Sequence, residues 1–78
     1  MNNFYFTFGT EEEQPFYGGW VKVIADDLGA ACEKFRERFP NPNSGFLNCA
    51  ASYTEEQFKK TRMDVSGNFG FYCHEVIE

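Results

Sequence analysis

Trp20-Val21-Lys22-Val23-Ile24-Ala25-Asp26-Asp27-Leu28-Gly29-Ala30-Ala31-Cys32-Glu33-Lys34-Phe35-Arg36-Glu37-Arg38-Phe39 changes its apolar period halfway along. Up to Ala25 the residues alternate, with Val21, Val23 and Ala25 on one face and Trp20, Lys22 and Ile24 on the other, the period of two of a half-buried strand. From Leu28 the apolar positions Leu28, Ala31, Cys32, Phe35 and Phe39 fall at i, i+3, i+4, i+7 and i+11, one stripe of an amphipathic helix. Asp26 or Asp27 supplies the cap between them, and Pro40 stops the helix, which is predicted over about residues 27–39. A strand feeding directly into a one-sided helix makes the fold α+β, a helix lying on a sheet.

Working outward, Phe4-Tyr5-Phe6-Thr7-Phe8 repeats the alternation and reads as a first strand, with Phe4, Phe6 and Phe8 facing the core. Gly9 to Pro15 make a solvated connection carrying Glu11, Glu12 and Glu13, and Gly18-Gly19 marks a bulge or a close backbone approach where the second strand begins. Downstream, the apolar run Phe46 to Ser52 reads as a third strand. Thr54-Glu55-Glu56-Gln57 then matches a capping box, flanked by Tyr53 and Phe58 at the positions of a hydrophobic staple, so a short second helix begins at Thr54 and closes near Thr61. Ser66-Gly67-Asn68 is a turn, and Phe71 to Ile77 is a last strand.

The expected architecture is one domain, residues 1–78: a two-layer sandwich of a mostly antiparallel four-stranded sheet with one main helix on one face, in the order β-β-α-β-α-β. Phe4, Phe6, Phe8, Val21, Val23, Leu28, Cys32, Phe35 and Phe39 form the expected core. The first or the last strand is expected at a sheet edge. In a chain of 78 residues such an edge and a small core favour a two-fold homodimer that hides both.

Composition narrows the function classes. Ten Phe, four Tyr and one Trp give 19% aromatics, enough apolar area for a small core, which excludes a disordered chain. Twelve acidic against seven basic residues leave a net charge of −5, which repels a phosphate backbone. No signal-peptide pattern opens the chain and no apolar run reaches the ~18–20 residues of a membrane span, so the expectation is a soluble, cytoplasmic protein. Cys32, Cys49 and Cys73 are an odd number at wide spacing, which suits reduced, packed thiols better than a disulfide framework.

No arrangement of residues specifies a reaction. Cys73 and His74 are neighbours on a strand and point to opposite faces, and no C-x₂-C pair is present, so neither a zinc site nor a Cys-His nucleophile is expected. Gly18-Gly19 lacks the spacing of a phosphate loop. The chain is therefore expected to be a binding protein rather than an enzyme, without a cofactor or metal.

The sheet face away from the main helix offers the binding surface. Tyr5, Thr7, Trp20, Lys22, Tyr72 and His74 are expected on it together. Such an aromatic face looks like the stacking platform of single-stranded RNA binders, but those add a positively charged groove, and here Lys22 is the only cation on the face. Direct nucleic-acid binding is not expected. A protein contact uses the same residues better, with Trp20 as anchor and Glu11, Glu12 and Glu13 as an acidic rim that recruits basic partners. Two alternatives stay open: a small, nucleotide-like ligand on this face, or a second core layer in which the aromatics lie under the loops and helix two.

Phe4 to Gly9 (FYFTFG), Gly19 to Asp27 (GWVKVIADD), Tyr53 to Thr61 (YTEEQFKKT) and Gly67 to Ile77 (GNFGFYCHEVI) resemble small proteins carried by phages and mobile elements of Firmicutes. The resemblance implies a mobile-element origin and no catalytic residue. By analogy with anti-CRISPR proteins, it implies a small acidic factor that binds and inhibits a host defence protein such as a CRISPR effector.

Overall fold

The structure, a computed structural model, describes residues 1–10, 14–41, 47–65, 67 and 71–78. Four strands and two helices follow in the expected order: β1 (Asn2–Thr7), β2 (Trp20–Ala25), α1 (Leu28–Arg38), β3 (Ala51–Thr54), α2 (Glu55–Thr61) and β4 (Cys73–Ile77). Helix α1 starts where its cap predicts: Asp27 is extended, and its carboxylate accepts the Ala30 N–H at 2.8 Å. Helix α2 has the complete capping box, the Thr54 hydroxyl accepting from the Gln57 N–H and the Gln57 side chain accepting from the Thr54 N–H. Thr54 is also the last residue of β3, because its extended backbone (φ −72°, ψ 167°) serves a strand end and a helix cap equally. Among the described residues no helix is long and apolar enough to cross a membrane.

The sheet runs β3-β1-β2-β4. Pairs β1/β2 and β1/β3 are antiparallel, whereas β2/β4 is parallel, so the sheet is mixed. Of the two expected edge strands, β4 is an edge and β1 is central, flanked on both sides. The third strand also sits later than its apolar run suggests. Leu47 and Cys49 pack half-buried against the core as a lead-in, the ladder begins only at Ala51, and Phe46 lies outside the described residues. Apolar character in that run reports burial, and the pairing falls to Ala51, Ser52, Tyr53 and Thr54, opposite Thr7, Phe6, Tyr5 and Phe4.

The main core lies between the sheet and α1. Phe4, Phe6, Phe8, Val21, Val23, Ala25, Ala31, Phe35 and Phe39 form one buried cluster, with Phe6 stacked on Phe35 at 4.4 Å between ring centroids. Cys32 joins it half-buried. Leu28 does not: at the first position of α1, where side chains lean toward the helix N-terminus, it is 42% exposed. Residues of the opposite parity form a second, smaller layer. Phe58 of α2 is buried and stacks on Tyr5 with ring centroids 4.0 Å apart, and it meets the edge of Trp20 at 5.0 Å. Helix α2 packs on β1 and β3, which leaves Lys22 and Ile24 half-buried and Val76 half exposed on the β2–β4 half of that face.

Candidate functional site

The residues expected to share one open face are divided by the fold. Tyr5 is 7% exposed beneath Phe58, and Thr7 is 4% exposed, so both belong to the second core layer. Trp20 is half-buried, edge-on to Tyr5 at 5.4 Å, and its indole N–H is buried with no acceptor among the described residues. Lys22 stays half-buried beside them. Glu11, Glu12 and Glu13 lie outside the described residues.

Tyr72 and His74 are not on the Trp20 face. In the parallel β2/β4 register Cys73 lies opposite Trp20, and a slip between Trp20 and Val21 sets His74 and Glu75 against the single residue Val21. His74 therefore turns to the α1 side, where its ring stacks on Phe16 at 4.1 Å and meets Phe8 at 6.0 Å, and its Nε2–H donates to the Gly18 carbonyl at 2.7 Å. Gly18 and Gly19 have φ of +71° and +74°. A Cβ on Gly19 would lie 2.5 Å from His74 Nε2 and 2.7 Å from the Tyr72 carbonyl, which is the close backbone approach the glycine pair predicts. This cluster ties the β1–β2 connection to β4. Tyr72 stays 62% exposed at its rim. Farther along β4, Glu75 holds Arg38 of α1 through two contacts of 2.8 and 2.9 Å.

A groove of about 440 Å³ opens at the other end of the sheet, where β3 gives way to α2; Asn2, Asn3, Phe4, Thr54, Glu55 and Glu56 line it. It exists because the strands differ in reach. The β1/β3 ladder ends at Phe4 opposite Thr54, while β1 continues through Asn3 and Asn2 against β2. Within the groove Glu55 Oε1 accepts from Asn3 Nδ2 at 3.1 Å and from the Tyr5 hydroxyl at 3.3 Å. The hydrogen bond from Asn3 holds the Glu55 carboxyl below its ordinary pKa, with the charges of Lys59 and Lys22 and the Tyr5 hydrogen bond adding to it against a smaller desolvation cost. Burial first, and then the Glu55 carboxylate, push the Tyr5 hydroxyl up to about 12. At neutral pH the pair is thus a phenol donating to a fixed carboxylate. Glu55 Oε2 and the exposed Glu56 carboxylate have no hydrogen-bond partner among the described residues.

Sequence reading assigned Glu55 and Glu56 to the first turn of a capped helix, and they are there. What it missed is that Asn2 and Asn3 come alongside, a juxtaposition set by the β1/β3 register. The polar dipeptide Asn2-Asn3 immediately before Phe4 is the one local sign of it. The cysteines add no competing chemistry. Burial pushes the Cys49 thiol up to about 11 and raises Cys32 as well, so both are poor nucleophiles, while the exposed Cys73 thiol donates to the Glu75 carbonyl at 3.5 Å. No three His, Cys, Asp or Glu side chains among the described residues are grouped to hold a metal ion. Comparison of the chain with protein families, with curated proteins and with solved structures gives no match.

Proposed function

We propose that the chain is an interaction protein that binds a basic surface of a host defence protein stoichiometrically and inhibits it, a CRISPR effector with its basic nucleic-acid channel being the favoured partner. The observation that carries this reading is the acidic corner at the end of β3, where the fixed Glu55 carboxylate and the exposed Glu56 stand beside an edge strand of a chain with net charge −5. The resemblance to mobile-element proteins supports the defence-protein partner. A small ligand stacked on the aromatic sheet face has less support, since Tyr5 and Trp20 lie against Phe58.

The test expresses the tagged chain in a host with active CRISPR immunity. Expected are restored phage plating and co-purification of an effector subunit, in a complex that weakens as salt is raised. Unchanged plating together with no captured defence protein overturns the reading. Self-association through β3 or β4, the two edge strands, belongs to the same proposal, and sedimentation at micromolar concentration checks it: a mass near 9 kDa at all concentrations removes the dimer.

A further inference from the structure

We propose that two copies of the chain associate edge to edge through β4, antiparallel, about a two-fold axis that passes between His74 and Glu75 and joins the two four-stranded sheets into one. The inference rests on the self-association in the reading above; it selects the edge and fixes the register.

Three observations converge on a second copy as the occupant. The first is exposure. β4 has β2 on one side and, among the described residues, no strand on the other, and apolar side chains stand open on it and just before it, Val76 50% and Tyr72 62% exposed. The β3 edge is a residue shorter and turns at Thr54 into α2. The second is charge. A chain of net charge −5 repels its own copy over most of its surface. Glu75, the one carboxylate within β4, is already held by the Arg38 guanidinium at 2.8 and 2.9 Å, so a second copy meets little repulsion there and a basic partner finds no uncommitted acid. The third is symmetry. Neighbours in a regular strand point to opposite faces, so a two-fold axis normal to the sheet must pass through a residue and set it against its own copy. The slip beside Trp20 lifts that restriction, because His74 turns to Phe16 and Glu75 to Arg38, both on the α1 side. With the axis between them, His74 lies opposite Glu75 of the second copy, Cys73 opposite Val76, and Tyr72 opposite Ile77. Each pair then shares a face: Cys73 and Val76 lie beside Trp20 and Lys22, whereas Tyr72 contacts His74 and Ile77 packs on the α1-side core. An axis through His74 or through Glu75 would set that residue against its own copy and Cys73 against a residue of the other face.

The experiment measures mass and cross-linking on the full chain. Sedimentation at micromolar concentration is expected to give twice the 9.0 kDa of the chain. Val76→Lys, a charge at a half-exposed edge position, is expected to return it to a monomer with unchanged circular dichroism. Val76→Cys tests the register. With oxidised glutathione as oxidant, the Cys73 thiol of one copy and the thiol introduced at position 76 of the other are expected to close a disulfide, each bond releasing two molecules of reduced glutathione. The product is a covalent dimer on a non-reducing gel that reduction, or the added substitution Cys73→Ser, abolishes. The unaltered chain is expected to stay uncross-linked, since this register leaves its two Cys73 residues about 10 Å apart along the strands, too far for a disulfide. A monomer at every concentration overturns the dimer and self-association with it, while capture of a defence protein is decided by its own test. A dimer that survives Val76→Lys, or one in which Val76→Cys forms no cross-link, overturns the β4 pairing and leaves self-association standing. Ready cross-linking of the unaltered chain through Cys73 overturns the register.

Discussion

The two faces of the sheet are built from the same alternating strands and come out differently. On the α1 side, Phe6, Phe8, Phe35 and Phe39 meet in an apolar cluster with no buried polar side chain among the described residues. On the α2 side a seven-residue helix contributes one buried residue, Phe58, and the layer beneath it includes the Tyr5 hydroxyl, Thr7 and an indole N–H without an acceptor. The difference separates a layer that holds the fold from one that leaves polar and charged groups at its edge. An apolar layer eleven helical residues long can hold the fold, whereas a thin, polar-laced layer leaves charged groups at its margin, and the groove at Glu55 opens at that margin.

The sharpest way to break this contrast is to truncate one aromatic on each side. Phe35→Ala is expected to cost about 3–5 kcal/mol of unfolding free energy, and Phe58→Ala about 2–3 kcal/mol, because a short helix at the surface can settle onto the gap. Equal losses in chemical denaturation would mean that the α2 layer is as structural as the α1 layer.

Alkali tests the second face through Tyr5, while the raised Cys49 and Cys32 thiols titrate against the core on the α1 side. Tyr5 is raised to about 12 in the folded state, above its unfolded value near 10, so the stability linked to its protonated form is whole below pH 10 and is lost as pH rises through 12. The loss is expected to be on the order of 2 kcal/mol. In the Glu55→Gln variant it should shrink, because the carboxylate's part of the shift is gone while burial remains. A denaturation midpoint that ignores pH up to 12 would place Tyr5 in contact with water.

Smaller effects refine the picture. Thr54→Ala removes the hydroxyl that accepts the Gln57 N–H and is expected to cost about 1 kcal/mol, with Tyr53→Ala adding to it, since the Tyr53 and Phe58 rings lie 6.4 Å apart across the helix start. Equal melting temperatures for wild type and the double variant would detach the cap from the stability of α2. Trp20→Phe is expected to change stability by less than about 1 kcal/mol, since the lost ring area is offset by deleting an unpaired donor that costs about 1–3 kcal/mol. A loss well beyond that would show that the indole N–H is satisfied in solution. On the acid side Glu55, lowered in the folded state, stabilises above its ordinary pKa, and its contribution disappears as pH falls through the lower folded value. Glu55→Gln should flatten that part of the acid unfolding curve.

Local rules carried as far as each segment's own periodicity and capping reached. The residues 20–25 alternation, the Asp27 cap, the Thr54 capping box and the close approach at Gly19 are all consequences of neighbouring residues, and each stands in the structure where those residues put it. Parity within β1 likewise separated Phe4, Phe6 and Phe8 from Tyr5 and Thr7. Relations between segments were another matter. That β4 runs parallel to β2, that the slip beside Trp20 turns His74 toward Phe16, and that α2 settles on Tyr5 depend on which distant surfaces bury each other best. A strand pattern is the same read in either direction, and a one-residue slip exchanges its faces. The candidate site is of this second kind. Asn3 and Glu55 are 52 positions apart, each unremarked in its own segment, and only the register of β3 on β1 brings the amide to the carboxylate and leaves the groove beside them.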